Sequence, residues 1–106
     1  MTDTTKPAAV PRFSPGATVA TPGALEACGL DYLMRCLARH VRGDWGCVCA
    51  DTAEENNAAV SDGEGIIHSA YPIDPAKPSD GFGINTLWII TEADRSVTTF
   101  LLPEEY

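Results

Sequence analysis

The residues with chemical potential fall into three groups. Cys47-Val48-Cys49 is a close pair of thiols, and Cys28 and Cys36 bring the cysteines to four. A structural zinc site needs four ligands, usually in two pairs of the C-x2-4-C or H-x3-5-H type, and no second pair follows. A dithiol redox site needs C-x-x-C at a helix start, which this spacing does not supply. No metal or other cofactor is therefore expected, and Cys28 and Cys36 read as small apolar helix residues. The second group is His40 beside Arg39, Arg42 and Asp44, with Arg95, Ser96 and Thr98 far along the chain. A His that takes a 2′-hydroxyl proton and an Arg that steadies the phosphorane charge would make a small toxin-like ribonuclease. Such an enzyme needs a field that draws in phosphate, whereas this chain carries a formal charge of −8. The ribonuclease reading with His40 and Arg95 thus ranks second, behind His40 as a helix-dipole partner and Arg95 as a turn residue. His68, alternating with Ile66 and Ala70, reads as a sheet residue whose polar atoms are satisfied.

The third group is acidic. Asp51, Glu54, Glu55, Asp62 and Glu64 lie close together and lack the D-x-[DN]-x-[DN]-G order of a calcium loop. They read instead as a charged surface. A surface of that sign repels nucleic acid and anionic membrane, and suits the basic surface of a protein that itself handles nucleic acid. Trp45 and Phe82, in or beside loops, are the aromatic candidates to anchor such a partner. The bland alternative is an interaction module whose acids serve solubility.

These residues must be positioned by one domain, because 106 residues leave no room for a second core. Residues 1–17 are polar, carry Pro7, Pro11 and Pro15 and lack the apolar stretch of an export signal. They are expected to form a disordered arm, tacked down by Val10 and Phe13, on a cytoplasmic protein. Residues 18–106 form the domain. Thr21-Pro22 starts a helix that Gly29 ends. Leu30, Leu33, Met34, Leu37, Ala38 and Val41 then recur as one helical stripe, closed by Gly43. Asp51-Thr-Ala-Glu54 resembles a capping box and opens a short helix over about 52–60, weakened by Asn56 and Asn57. Residues 65–71, 87–92 and 96–102 read as strands, the last two a hairpin around Ala93-Asp94-Arg95. Residues 72–84, with three prolines and two glycines, form a long irregular connection of the kind that is mobile or functional. The fold class is α+β, with N-terminal helices packed on a three-stranded antiparallel β-meander.

Several blocks resemble a family of small plasmid-related proteins carried on bacterial mobile elements. They are Ala38-Arg-His-Val-Arg-Gly-Asp-Trp-Gly46, Ile67-His-Ser-Ala-Tyr71, Leu87-Trp-Ile-Ile-Thr-Glu-Ala-Asp-Arg-Ser-Val-Thr-Thr99 and Leu101-Leu-Pro-Glu-Glu-Tyr106. The similarity covers about residues 20–106 and departs at Cys47-Val-Cys49 and at the loop 72–80. It implies no activity and no site residue. Residence on mobile elements implies, by analogy with small acidic phage and plasmid proteins, an inhibitor of host defence of the anti-CRISPR or antirestriction type. The combined expectation is a non-enzymatic protein whose carboxylates occupy a basic surface, with no direct contact to nucleic acid or membrane. No feature of the chain specifies its oligomeric state.

Overall fold

A computed structural model of the chain describes residues 10–106. Its elements run β1 (Ala17–Ala20), α1 (Pro22–Cys28), α2 (Leu30–Val41), α3 (Ala50–Asp62), β2 (Ile67–Pro72), β3 (Thr86–Thr91) and β4 (Val97–Leu101), closed by a 3-10 turn at Pro103–Glu105. The expected antiparallel meander is present as β2, β3 and β4. The sheet is nevertheless four-stranded and mixed, in the order β1-β4-β3-β2, because β1 adds to β4 in parallel. Sequence reasoning missed β1. Four residues, Ala-Thr-Val-Ala, show no clear alternation, and all four are exposed at an edge. Their pairing partner lies about eighty residues further on, where no local pattern reaches.

The N-terminal arm needs correction as well. Residues 1–9 lie outside the described residues. Residues 10–17 are laid against the domain: the Arg12 N–H donates to the Val41 carbonyl at 2.6 Å, and the Phe13 ring packs on His40 and Trp45. Val10, the other expected tack, is exposed.

All the helix packing falls on one face of the sheet. Ala24, Leu33 and Cys36 meet Tyr71, Leu87, Ile89 and Phe100 in one core cluster, while Trp45, Ala59 and Ile67 form a second under α3. Thr21 caps α1 as expected, accepting from the Ala24 N–H at 3.1 Å, and its hydroxyl donates to Glu105 at 2.6 Å. The acidic C-terminus is thereby tied to the start of the first helix. The apolar stripe of α2 is rotated from its expected position. Leu33, Cys36 and His40 are buried, whereas Leu30 and Met34 are 62% and 46% exposed. Neighbouring faces of a helix share residues such as Leu33 and Leu37, so periodicity alone does not choose between them. The buried face sets Leu33 and Cys36 on the apolar core and gives His40 two hydroxyl partners from the sheet.

Helix α3 is longer than expected at both ends. Cys49 rather than Asp51 occupies the N-cap, and left-handed Gly63 closes the helix with its N–H on the Ala59 carbonyl. Asn56 and Asn57, the weak helix formers, are what dock it. The Asn56 amide donates to the His68 carbonyl at 2.7 Å and accepts from the His68 N–H at 3.0 Å, while Asn57 accepts from the Trp45 indole. Asn56 therefore behaves toward β2 like one residue of a further strand. The connection after β2 is also better ordered than expected. The Asn85 amide donates to the carbonyls of Asp74, Lys77 and Pro78, and the Trp88 indole donates to Gly81. Among the described residues, no helix is long and apolar enough to cross a membrane.

Candidate functional site

Helix α3 gathers the carboxylates. At 100° per residue, Asp51, Glu54, Glu55 and Asp62 fall within about a third of the helix circumference. All four are exposed, and Glu64 follows just past the Gly63 cap. None of them is ion-paired among the described residues. The single salt bridge among the described residues joins Arg39 to Asp44 at 2.7 Å. Glu55, Asp62 and Glu64 border a shallow depression of about 600 Å³, floored by Ala58, Ala59, Ile66 and Ala93. Ile66, 53% exposed, adds an apolar contact point that sequence reasoning had assigned to a strand face. Alternation could not show this, because Ile66 precedes the first paired residue, Ile67, and stands at the sheet margin beside Ile90 and Glu92.

The two aromatic candidates part company. Phe82 is 68% exposed and stands at the other end of α3, on the rim of a smaller recess of about 150 Å³ shared with Cys49, Thr52, His68 and Asp80. Trp45 is no anchor. It is buried, stacked on Phe13 and hydrogen-bonded through its indole to Asn57, because the left-handed Gly46 turn folds it inward against α3. Tyr71 is likewise core, donating its hydroxyl to the Asp44 carbonyl at 2.6 Å.

His40 and Arg95 do not form a site together. His40 is fully buried, with Nδ1 on Ser69 Oγ and Nε2 on Thr91 Oγ1. The hydroxyls around it fix its tautomer. Thr98 donates to the Pro15 carbonyl, so Thr98 accepts from Thr91, and Thr91 in turn accepts from Nε2–H. Nδ1 is left as the acceptor of the Ser69 hydroxyl. Burial pushes the His40 pKa down to about 3, and nearby His68 adds to the shift. A general base must come within hydrogen-bond reach of its substrate, and this ring is fully buried with both nitrogens already engaged by the sheet. Arg95 sits at φ 62° in the β3–β4 turn. Its guanidinium donates to the carbonyls of Ala59, Gly65, Glu92 and Ala93, with Phe13 packed between it and His40. Arg95 is therefore a strut between α3 and the hairpin, and the expectation of a turn residue holds.

His68 departs from expectation. Its Nε2 is buried without a hydrogen-bond partner among the described residues, its ring set edge-on to Trp88 at 4.5 Å. Burial accordingly lowers its pKa. The thiols differ sharply in environment. Cys36 is buried and Cys28 partly so, and burial raises both, Cys28 to about 11. Cys49 is exposed at the start of α3 and is lowered chiefly by its hydrogen bond with Thr52. Among the described residues, no group of His, Cys, Asp or Glu is placed to hold a metal ion. No family model, curated protein or solved structure matches the chain.

Proposed function

We propose that this protein is a non-enzymatic inhibitor that uses the acidic face of α3 to occupy a basic surface on a host nucleic-acid-handling complex in the bacterial cytoplasm. The partner is a defence system of the CRISPR or restriction type. The observation that carries this reading is the set of carboxylates on one helix face, none of them ion-paired among the described residues. At ~1.5 Å per residue the four carboxylates of this thirteen-residue helix span about 16 Å along its axis, three of them within the first ~6 Å and Asp62 ~10 Å further on. That is a run of negative charge as long as about five phosphates of a single strand at ~3.4 Å each. The positions of the acids support the same reading. Asp62 lies in the last turn, where the helix dipole disfavours an anion, and the Arg95 guanidinium that reaches the Ala59 carbonyl of that turn forms no ion pair with it. Its carboxylate is thus left available to a basic partner. Ile66 at one end and Phe82 at the other supply apolar contacts beside the charge.

The test is competition. The wild-type chain should block DNA binding by a sensitive CRISPR effector or restriction enzyme. The triple variant Asp51→Lys, Glu55→Lys, Asp62→Lys should lose that block while keeping its circular dichroism spectrum. Inhibition unchanged in the triple variant overturns the reading. Protection of DNA by the chain binding the DNA directly would overturn it as well.

A further inference from the structure

The two edges of the sheet are finished differently. Along β2 the outward backbone groups belong to His68 and Ala70. His68 is matched by Asn56, while the Ala70 N–H donates to the Trp45 carbonyl and its carbonyl accepts from the Cys47 N–H. Pro72, the next outward residue, has no N–H to satisfy. That edge is closed. On β1, Ala17 and Thr21 donate inward to the Ser96 and Phe100 carbonyls of the β4 segment. By alternation, the N–H and C=O groups of Thr18 and Ala20 point away from the sheet. These four groups have no partner among the described residues, and every residue of β1 is exposed.

Natural sheets shield open edges with charge, proline or a bulge. β1 has none of these within it. It lies inside Phe13–Leu25, the longest stretch of the chain without a charged residue. In a chain of net charge −8, this strip, with a carboxylate only beyond its end where Glu105 meets Thr21, is the place where a second negative copy can approach. We infer that β1 pairs antiparallel with β1 of a second copy about a two-fold axis, giving a continuous eight-stranded sheet.

The register follows from the hydrogen-bonding pattern. Outward-facing residues must oppose each other, so Thr18 stands against the partner copy's Ala20, and Val19 meets its own equivalent at the axis. Val19, 49% exposed, gains its missing neighbour in this way. Repulsion is minimised by the same arrangement. α3 packs at β2, the far edge of each sheet. Seven strand spacings of ~4.8 Å hold the two acidic helices on the order of 34 Å apart, several screening lengths at ordinary salt. The dimer is independent of the proposed role of α3, and would display that face twice.

The test is solution mass as a function of concentration on the purified full chain. The wild type should reach twice the chain mass. Thr18→Pro removes an outward N–H, and Val19→Lys puts charge at the axis; each should be monomeric with an unchanged circular dichroism spectrum. Should Thr18→Pro fail to fold, Val19→Lys decides. Val19→Cys in a Cys49→Ser background should form a covalent dimer on oxidation, while Cys49→Ser alone should not. A wild-type monomer up to millimolar concentration overturns the inference, including one that gains a strand only from a different protein. So does a dimer that survives in Val19→Lys.

Discussion

His40 is held neutral by its surroundings, and this gives the chain a measurable acid lability. The unfolded chain protonates this ring near its ordinary 6.5, the folded chain only near 3. Between those values the unfolded state binds the extra proton. Stability is therefore full above pH 6.5 and falls as pH drops toward 3, by up to about 1.4 kcal/mol per pH unit. His68, lowered by burial as well, adds to the loss in the same direction. Urea unfolding from pH 7 down to pH 4 checks this, and a stability independent of pH across that range contradicts it. The thiols offer a second measurement. Exposed Cys49, lowered by Thr52, should take up iodoacetamide first, and buried Cys36 only on unfolding. Mass mapping after brief labelling reads the order directly, and modification of Cys36 ahead of Cys49 would reverse the assignment.

At the scale of elements, α3 is held by few contacts of high value. Removing the Asn56 amide leaves the His68 N–H and C=O unmatched beside a buried site. Asn56→Ala should therefore cost on the order of 2–4 kcal/mol, seen as a lower urea midpoint with unchanged slope. A loss below about 0.5 kcal/mol, the range of ordinary surface substitutions, would mean that water replaces the amide freely. Arg95 is the second fastening, reaching the Ala59 carbonyl of α3 and the Gly65 carbonyl beyond its cap. Together these contacts explain how a helix with two adjacent asparagines carries an acidic face on a fixed platform.

At the scale of the whole molecule, charge is separated. Arg35 on α2 and Arg42 at its C-cap are exposed, Arg39 is engaged by Asp44 and lies over the Tyr71 ring, and the acids dominate α3. A complex made through α3 should be strongly dependent on salt. Affinity for its basic partner should fall roughly tenfold or more between about 0.05 M and 0.5 M ionic strength. Titration calorimetry at the two salt levels measures this, and an affinity insensitive to salt would place the binding on apolar surface instead.

The meander was legible in the sequence because alternation is local: Ile67, Ser69 and Tyr71 face the helices, and Leu87 with Ile89 does the same, as their spacing says. The helices were legible for the same reason, but the gathering of Asp51, Glu54, Glu55 and Asp62 on one of them was not, because the expected helix stopped near residue 60 and left Asp62 in a loop. Distant pairing was not. β1, the inward turn of Trp45, the rotated face of α2 and the use of Asn56 as a strand edge each depend on a partner far along the chain. So does the fate of His40, whose residue type suits catalysis and whose neighbours Ser69, Thr91 and Phe13 make it core. Periodicity follows from the geometry of the backbone and is written in neighbouring residues; burial and hydrogen-bond matching belong to the folded packing, and are settled only when remote segments meet.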